Sequence, residues 1–337
     1  MRPLGRGHIH ATLLVETAQG HRYVAQRINT AVFGDPVALA RNLERVTAHL
    51  ATRAAGRPTL EPLRTPAGRS TVEDSEGGWW RVFPFVEGSR SVERARSPAE
   101  AEGMAAAFGG FLADLADLPT RQIEVLLPGF HDLAGRLAAL EAAAARDALG
   151  RRAAVEPELR RARALGLELA AADDALPRRL VHNDCKLNNL LVDASSGEPL
   201  CVVDLDTVMP GLALYDFGEL VRTAASTADE DEPDVERVDF DLARFEALAR
   251  GFVAGARGGL TLQEIRSFDR AGPRMALENG VRFLADHLDG DRYFPARRPG
   301  HNLDRARAQL RLAERMLQRE AELRDLVQGL VRPGNPG

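Results

Sequence analysis

Apolar and β-branched residues fill positions 9–16 and 23–28 and turn-forming ones fill 17–20, so the chain opens with a predicted β-hairpin. Asp35 followed by Pro36 reads as a helix N-cap with proline in the first helical position, and Leu39, Leu43, Val46 and Leu50 recur at helical spacing behind it. Residues 79–86, Trp-Trp-Arg-Val-Phe-Pro-Phe-Val, form an aromatic, β-branched run that stops at Glu87-Gly88, which predicts a strand leading into a break. Beyond Pro98 the period changes. Met104, Phe108, Phe111, Leu112, Leu115 and Leu118 make one helical stripe closed by Pro119, and residues 131–172 are rich in helix formers. A β interlude at 190–204 interrupts the helices, which resume at 216–223, 240–256 and 262–288. A long amphipathic helix is expected from about Asn302 to Leu330. The pattern therefore predicts an α+β protein with a small antiparallel-sheet N-terminal lobe, residues 1–88, and a larger, mostly helical C-terminal lobe, residues 89–337.

Composition narrows the classes. The 337 residues are 45% hydrophobic, enough for a packed core. The 44 basic and 49 acidic residues leave a net charge of -5, which argues against a nucleic-acid partner. Lys186 is the single lysine, so each arginine is a weak clue to function. Two cysteines, Cys185 and Cys201, are too few for a disulfide framework, and no stretch suits a signal peptide or a membrane span; the expected location is the cytoplasm. The acidic run at 229–241 is expected to be a solvated loop and helix start. The oligomeric state is left open.

The chemistry concentrates at 180–206. His182, Asp184 and Asn189 have the His-x-Asp, four residues, Asn spacing of a kinase catalytic loop, here 182–189. After it come an apolar run, a turn at 194–199 and a second apolar run ending at Asp204. If the turn centres on Ser196-Gly197, antiparallel pairing sets Asn189 across from Asp204. An amide and a carboxylate meeting beside a third carboxylate suit Mg²⁺ held jointly with nucleotide phosphates. Asp206 is the alternative ligand to Asp204. Asp184 has the position of a base that orients or deprotonates an attacking hydroxyl; His182 reads as loop scaffold, and Lys186 either touches a phosphate or faces solvent.

In the N-terminal lobe, Gly5 and Gly7 precede the first hairpin and could bring backbone amides against phosphates. Arg27, on the second hairpin strand, holds the position of a phosphate-pairing cation, or else is a surface arginine. Glu44 on the following helix either orients Arg27 or faces solvent.

These residues resemble the aminoglycoside phosphotransferase family, small-molecule kinases with a protein-kinase-like two-lobed fold, and within it most closely the N-acetylhexosamine 1-kinases. The resembling stretches run nearly end to end: 26–29 with Val32 and Phe33, 44–47, 80–88, Pro-Gly-Phe-His-Asp at 128–132, the catalytic loop, 203–211, 215–218, 282–284, Tyr293-Phe294 and 301–303. The resemblance implies transfer of the ATP γ-phosphate, with Mg²⁺, to the anomeric hydroxyl of a hexosamine such as an N-acetylhexosamine. Asp184 would be the base, and Asn189 and Asp204 the metal ligands. Phe83, Phe85 and Val86 would belong to an interlobe hinge that meets the adenine. Asp216 would brace the catalytic loop, and Arg282 and Tyr293 would contact the sugar.

The sequence departs from the family in three ways. Only Met1 to Leu4 precede the glycines, which implies a truncated start or a short first strand. Cys185 stands where threonine is common, implying sensitivity to oxidation. The segment Gly5-Arg6-Gly7-His8-Ile9-His10 differs from the usual loop. Rival readings are a kinase of the same fold acting on an aminoglycoside, choline or a homoserine-like hydroxyl, and a nucleotide-binding regulator without turnover. Clustered carboxylates near 229–241 would favour a polycationic aminoglycoside as the acceptor.

Overall fold

The computed structural model describes residues 1–4, 9–53, 58–169 and 175–331. The expected hairpin forms as β2 (Ala11–Glu16) and β3 (Arg22–Arg27), in register from Ala11 opposite Arg27 to Glu16 opposite Arg22. A two-residue strand, β1 (Arg2–Pro3), pairs with Leu13 and Leu14 of β2. Helix α1 (Pro36–Arg53) starts as its sequence dictates, because Asp35 Oδ1 accepts from the amides of Val37 and Ala38. With β4 (Val72–Glu73) and β5 (Trp79–Pro84), the first sheet has the order β1-β2-β3-β5-β4 and is antiparallel throughout.

The next strand, β6 (Ser89–Ser91), leaves that sheet and pairs with β8 (Leu190–Asp193), which pairs in turn with β9 (Pro199–Val202). A separate two-stranded ribbon joins β7 (Arg179–Val181) to β10 (Met209–Gly211). The helices are α2 (Pro98–Asp114), α3 (Leu133–Arg146), α4 (Glu156–Leu169), α5 (Ala213–Ala224), α6 (Leu242–Gly255), α7 (Leu262–Arg266), α8 (Phe268–Leu288), α9 (His301–Leu317) and α10 (Glu320–Leu330).

Three of the expected helical stretches are broken. The 131–172 stretch divides where Asp147 takes a left-handed conformation, φ 41°. The 262–288 stretch divides at Ser267, and the terminal helix turns at Gln318-Arg319. That turn sends α10 back across α6, α7 and α8 and buries Leu323 and Val327. Burial of that small apolar face decides the break, since neither glycine nor proline marks it.

The main core lies in the helical part. Phe217 of α5 stacks on Phe268 of α8 with centroids 4.3 Å apart, and Phe245 and Phe252 of α6 close round Phe217. A second cluster fastens the sheet to the helices: Leu43 and Val46 of α1 and Phe83 of β5 pack with Phe111, Leu115, Leu180, Leu205 and Val208. The catalytic-loop segment and the end of the β8-β9 hairpin are therefore anchored from both sides. No helix among the described residues is long and apolar enough to cross a membrane.

Candidate active site

The loop between β7 and β8 is fixed by α5. Asp216, in the first turn of that helix, accepts from the backbone amides of His182 (2.9 Å) and Asn183 (2.7 Å). Asn183 sits in the left-handed region, φ 63°, and its side-chain amide donates to the Thr207 carbonyl at 2.8 Å. His182 is fully buried against Phe108 and Phe111; Nε2 reaches the Val203 carbonyl at 2.9 Å, and Nδ1 accepts the Asp184 amide at 3.3 Å. These two roles define the neutral, Nε2-protonated tautomer and tie the loop to the end of β9.

Asp184 itself is gripped on both oxygens. Lys186 Nζ lies 2.7 Å from Oδ1, and Asn189 Nδ2 donates to Oδ2 at 3.1 Å and to the Asp184 carbonyl at 2.9 Å. Burial raises the pKa of this carboxyl, but the Lys186 ammonium, aided by Arg222, outweighs burial and leaves it below the ordinary aspartate value. With Nδ2 of Asn189 engaged, its amide oxygen is the atom offered to a cation.

The β8-β9 hairpin differs from expectation by one residue. Its turn centres between Ser195 and Ser196, where Asp193 Oδ1 accepts from both of those amides, and a bulge follows at Leu191/Val192. Asn189 therefore faces Val203, whose amide donates to its carbonyl at 2.9 Å, and Asp204 comes next, turned by a left-handed φ of 61°. Desolvation, then the charges of Asp206 and Asp184, push the Asp204 carboxyl above its ordinary value. A carboxylate crowded by like charges, here facing solvent, is the environment a cation would relieve. Among the described residues no three His, Cys, Asp or Glu side chains gather as a complete metal cage. Asn189 and Asp204 form the partial oxygen set that Mg²⁺ accepts when phosphate oxygens and water complete its shell.

Asp206 is not available as the alternative ligand. Both of its oxygens are taken by Arg81 at 2.5 Å, and His10 Nε2 reaches Oδ2 at 2.6 Å. Arg81 and Asp206 are each only 3% exposed, and although burial opposes it, the guanidinium and His10 hold this carboxyl far below the usual range. His10 Nδ1 accepts the Asn29 amide at 3.0 Å, which aims the ring.

That pair also corrects the expectation for Arg27. The registered neighbours Gln26 and Arg81 share a face, and Gln26 Oε1 accepts from Arg81 Nε at 3.0 Å. Strand alternation sends Arg27 to the opposite face, where it is exposed and lies beside Gly78 and Asp74. Glu44 pairs with Arg64 at 3.2 Å, not with Arg27. Gly5 and Gly7 lie outside the described residues. Phe83 is buried in the cluster that fastens the sheet to the helices, Phe85 stacks under Arg22 at 4.3 Å, and Val86 accepts from Ser89.

Beyond Lys186 lies a polar floor that the sequence did not reveal. Arg222 of α5 donates to both oxygens of Glu219 and to Glu230 and Gln309, Asn279 Nδ2 reaches Glu219 at 3.4 Å, and Lys186 lies 3.9 Å from Glu219. Arg305 sits 3.9 Å from Glu230. Several members of the acidic run are also paired: Asp229 with Arg94, Glu232 with Arg237 and Glu236 with Arg311, while His301 Nε2 lies 2.8 Å from Asp231.

At the next turn of α8, Arg282 lies over Phe130 at 5.6 Å and Phe294 at 5.3 Å. The neighbouring loop is wrapped round Asp286, which accepts the amides of Arg292, Tyr293 and Phe294 and the side chain of Asn302. This presents Tyr293, 56% exposed, edge-on to Phe294. The structure thus brings Arg282 and Tyr293 to one wall.

Cys185 corrects a further expectation. It is fully buried and hydrogen-bonded to Asp216, and burial together with the Asp216 charge pushes its thiol well above the ordinary range, so the reactive thiolate is suppressed.

Residues 1–251 match the family described as the phosphotransferase enzyme family. The chain belongs to that family. Solved structures similar to this phosphotransferase include an aminoglycoside phosphotransferase from Alicyclobacillus acidocaldarius, with 17% identity, a TM-score of 0.62, and coverage of 98% of this chain and 93% of that one. A microcompartment-associated aminopropanol kinase matches at 19% identity and a TM-score of 0.58, covering 95% and 92%. An amicoumacin kinase in complex with AMP-PNP, Ca²⁺ and Ami matches at 13% identity and a TM-score of 0.55, covering 98% and 88%. The phosphotransferase shares their protein-kinase-like fold, with an antiparallel N-terminal sheet and a helical C-terminal region.

Proposed function

We propose that this small-molecule phosphotransferase transfers the γ-phosphate of ATP, with Mg²⁺, to the anomeric hydroxyl of a hexosamine-type sugar such as an N-acetylhexosamine. The observation that carries the acceptor class is the charge balance of the floor beside Asp184. Glu219 and Glu230 are both committed to Arg222, with Lys186 and Arg305 close by. An aminoglycoside or amino alcohol would need unpaired carboxylates, and a quaternary ammonium would need open aromatic faces. Phe130 and Phe294 instead carry Arg282, and Phe283 carries Arg305. A neutral, hydroxyl-rich acceptor meets this balanced set of donors and acceptors without stranding a charge.

In this reading Asp184, held by Lys186 and Asn189, accepts the hydrogen bond of the attacking hydroxyl and takes its proton as the bond to phosphorus forms. Its lowered pKa suits a group that orients the nucleophile throughout and receives the proton late, as a loose phosphoryl-transfer transition state requires. Mg²⁺ bound by Asn189, Asp204 and the nucleotide phosphates would supply neutralisation of the charge on the transferring group. Arg81 keeps Asp206 out of the metal's reach and thereby leaves Asp204 as the ligand. Arg282 and Tyr293 supply a hydrogen-bonding and ring wall for the sugar.

The test is ADP release with ATP and Mg²⁺ over free hexosamines, aminoglycosides and small amino alcohols. Turnover confined to free hexosamines is expected. Turnover only with aminoglycosides or amino alcohols overturns the acceptor assignment, and ATP binding without turnover for any acceptor overturns the catalytic reading.

A further inference from the structure

His131 stands in the segment between α2 and α3, outside the groups the proposed reaction uses, yet it touches the catalytic loop. Its Nε2 lies 2.9 Å from the carbonyl oxygen of Asn183, and its Nδ1 lies 2.9 Å from Oε1 of Glu278 on α8. His131 and Glu278 are 4% and 0% exposed at their side chains. A carbonyl can only accept, so Nε2 must carry a proton; a second proton must then lie between Nδ1 and the carboxylate.

The surrounding groups decide where that second proton resides. Against burial, the charge and hydrogen bond of His131, and after them Arg282 and Arg274, which flank Glu278 one turn to either side on α8, hold its carboxyl below the ordinary glutamate value. From α5, Glu219 adds a negative charge near the imidazole and the Tyr215 ring lies 4.8 Å away; from its own segment, Phe130 packs at 4.7 Å. From α3, Arg136 approaches Arg282 and Glu278 and is itself destabilised as a cation by burial. Burial alone would neutralise the ring, but the Glu278 charge and both hydrogen bonds outweigh it and hold the His131 pKa above its ordinary value.

The carbonyl that His131 holds belongs to the peptide bond whose nitrogen is that of Asp184. Asn183 has a left-handed backbone, its amide is fixed by Asp216 and its side chain by the Thr207 carbonyl. The N–H of that peptide has only the long, 3.3 Å contact to His182 Nδ1, so without a donor at its carbonyl the plane could swing about the left-handed residue, and the Asp184 carboxylate would swing with it. We propose that His131 is a positioning residue, an imidazolium clamped by Glu278 that locks the Asn183–Asp184 peptide and so aims Asp184 at the acceptor. The role assigned to the clamp rests on the reading of Asp184 as the base, whereas the ion pair itself does not.

The sign of the pH effect follows. A group whose pKa is raised on folding contributes fully below the unfolded value, about 6.5 for histidine. That contribution is lost as pH rises through the higher folded value. Turnover should therefore carry a basic limb set by His131.

The experiment uses the full chain, labelled with ¹⁵N-histidine, and the double variant His131→Gln with Glu278→Gln, whose neutral amides retain hydrogen-bonding capacity without the charges. Both His131 ring nitrogens, assigned by their loss in the variant, are expected in the protonated shift range at pH 7. For the variant we expect thermal unfolding and ATP binding close to the parent, kcat lowered about tenfold, KM for ATP within about twofold, and the basic limb gone. An unprotonated ring nitrogen at pH 7 overturns the ion pair, and a folded variant with unchanged kcat and pH profile overturns the positioning role. The ring shifts are read without any acceptor, so they stand or fall separately from the sugar-kinase reading; should the double variant not fold, His131→Gln alone with the same pH profile decides the role.

Discussion

Arg81 of β5 and Asp206 beyond β9 form a bidentate ion pair across the junction between the first sheet and the helical region, at 2.5 Å on each arm and with almost no exposure of either side chain. Asp206 is thereby a structural anion, and Asp204, two residues earlier, is the one left for a metal. Removing one member of a buried pair strands the other, at about 3–5 kcal/mol. Asp206→Ala should therefore lower the unfolding midpoint sharply, whereas Asp204→Ala should leave it within a few degrees and abolish Mg²⁺-dependent turnover. Thermal unfolding and ADP release on both variants check this. A stable Asp206→Ala that has lost metal dependence, beside an active Asp204→Ala, would exchange the two roles.

Lys186 keeps Asp184 ionised against the cost of burial. A carboxyl with a depressed pKa acts as an acceptor at every pH above that value, so removing the cation moves the loss of activity to higher pH. Lys186→Met should displace the acidic limb of kcat/KM upward, read from turnover between about pH 4.5 and 8, where an unshifted aspartate would titrate near 3.9. An unmoved limb would show that Lys186 does not tune Asp184.

The cysteines should be inert in the native protein. Burial suppresses the Cys185 thiolate and pushes Cys201 up to about 12. Iodoacetamide at pH 8 is expected to leave activity intact and to modify both residues only after denaturation. Rapid inactivation of folded enzyme with alkylation at Cys185 would contradict that.

Helices α2 and α6 meet backbone to backbone. A Cβ on Gly251 would stand 2.1 Å from the Glu102 carbonyl oxygen, and one on Gly255 2.1 Å from that of Ala106. Gly251→Ala or Gly255→Ala should cost about 1–3 kcal/mol by forcing the helices apart. Denaturant unfolding measures it, and a neutral effect at both positions would mean the helices separate freely.

Much of this was legible in the sequence because it is local. The catalytic-loop spacing put His182, Asp184 and Asn189 in one segment, and the capping signal at Asp35-Pro36 set α1. What escaped depended on faces and registers. Arg27 is the obvious cation on its strand, yet period-2 alternation turns it outward and gives the inner face to Gln26 and Arg81. The signal was present, since Arg81 is a lone charge in an aromatic strand and such a residue, if inward, demands a buried carboxylate. Symmetric pairing about a turn could not foresee the bulge that sets Asn189 opposite Val203. Nor could it find the floor beside Lys186: Glu219 and Arg222 are neighbours on α5, but Glu230, Asn279 and Gln309 join them from other segments only by packing.

Asp184→Asn bears on the assigned base: it should fold normally and lower turnover by about two to four orders of magnitude, and unchanged turnover would remove Asp184 from that role. The most direct measurement of the central claim is phosphorylation of a free N-acetylhexosamine against its 1-O-methyl glycoside, with the product's phosphate located by ³¹P NMR. The account predicts turnover of the free sugar, phosphate on the anomeric oxygen, and none for the glycoside; equal turnover of the two, or phosphate on another hydroxyl, would contradict it.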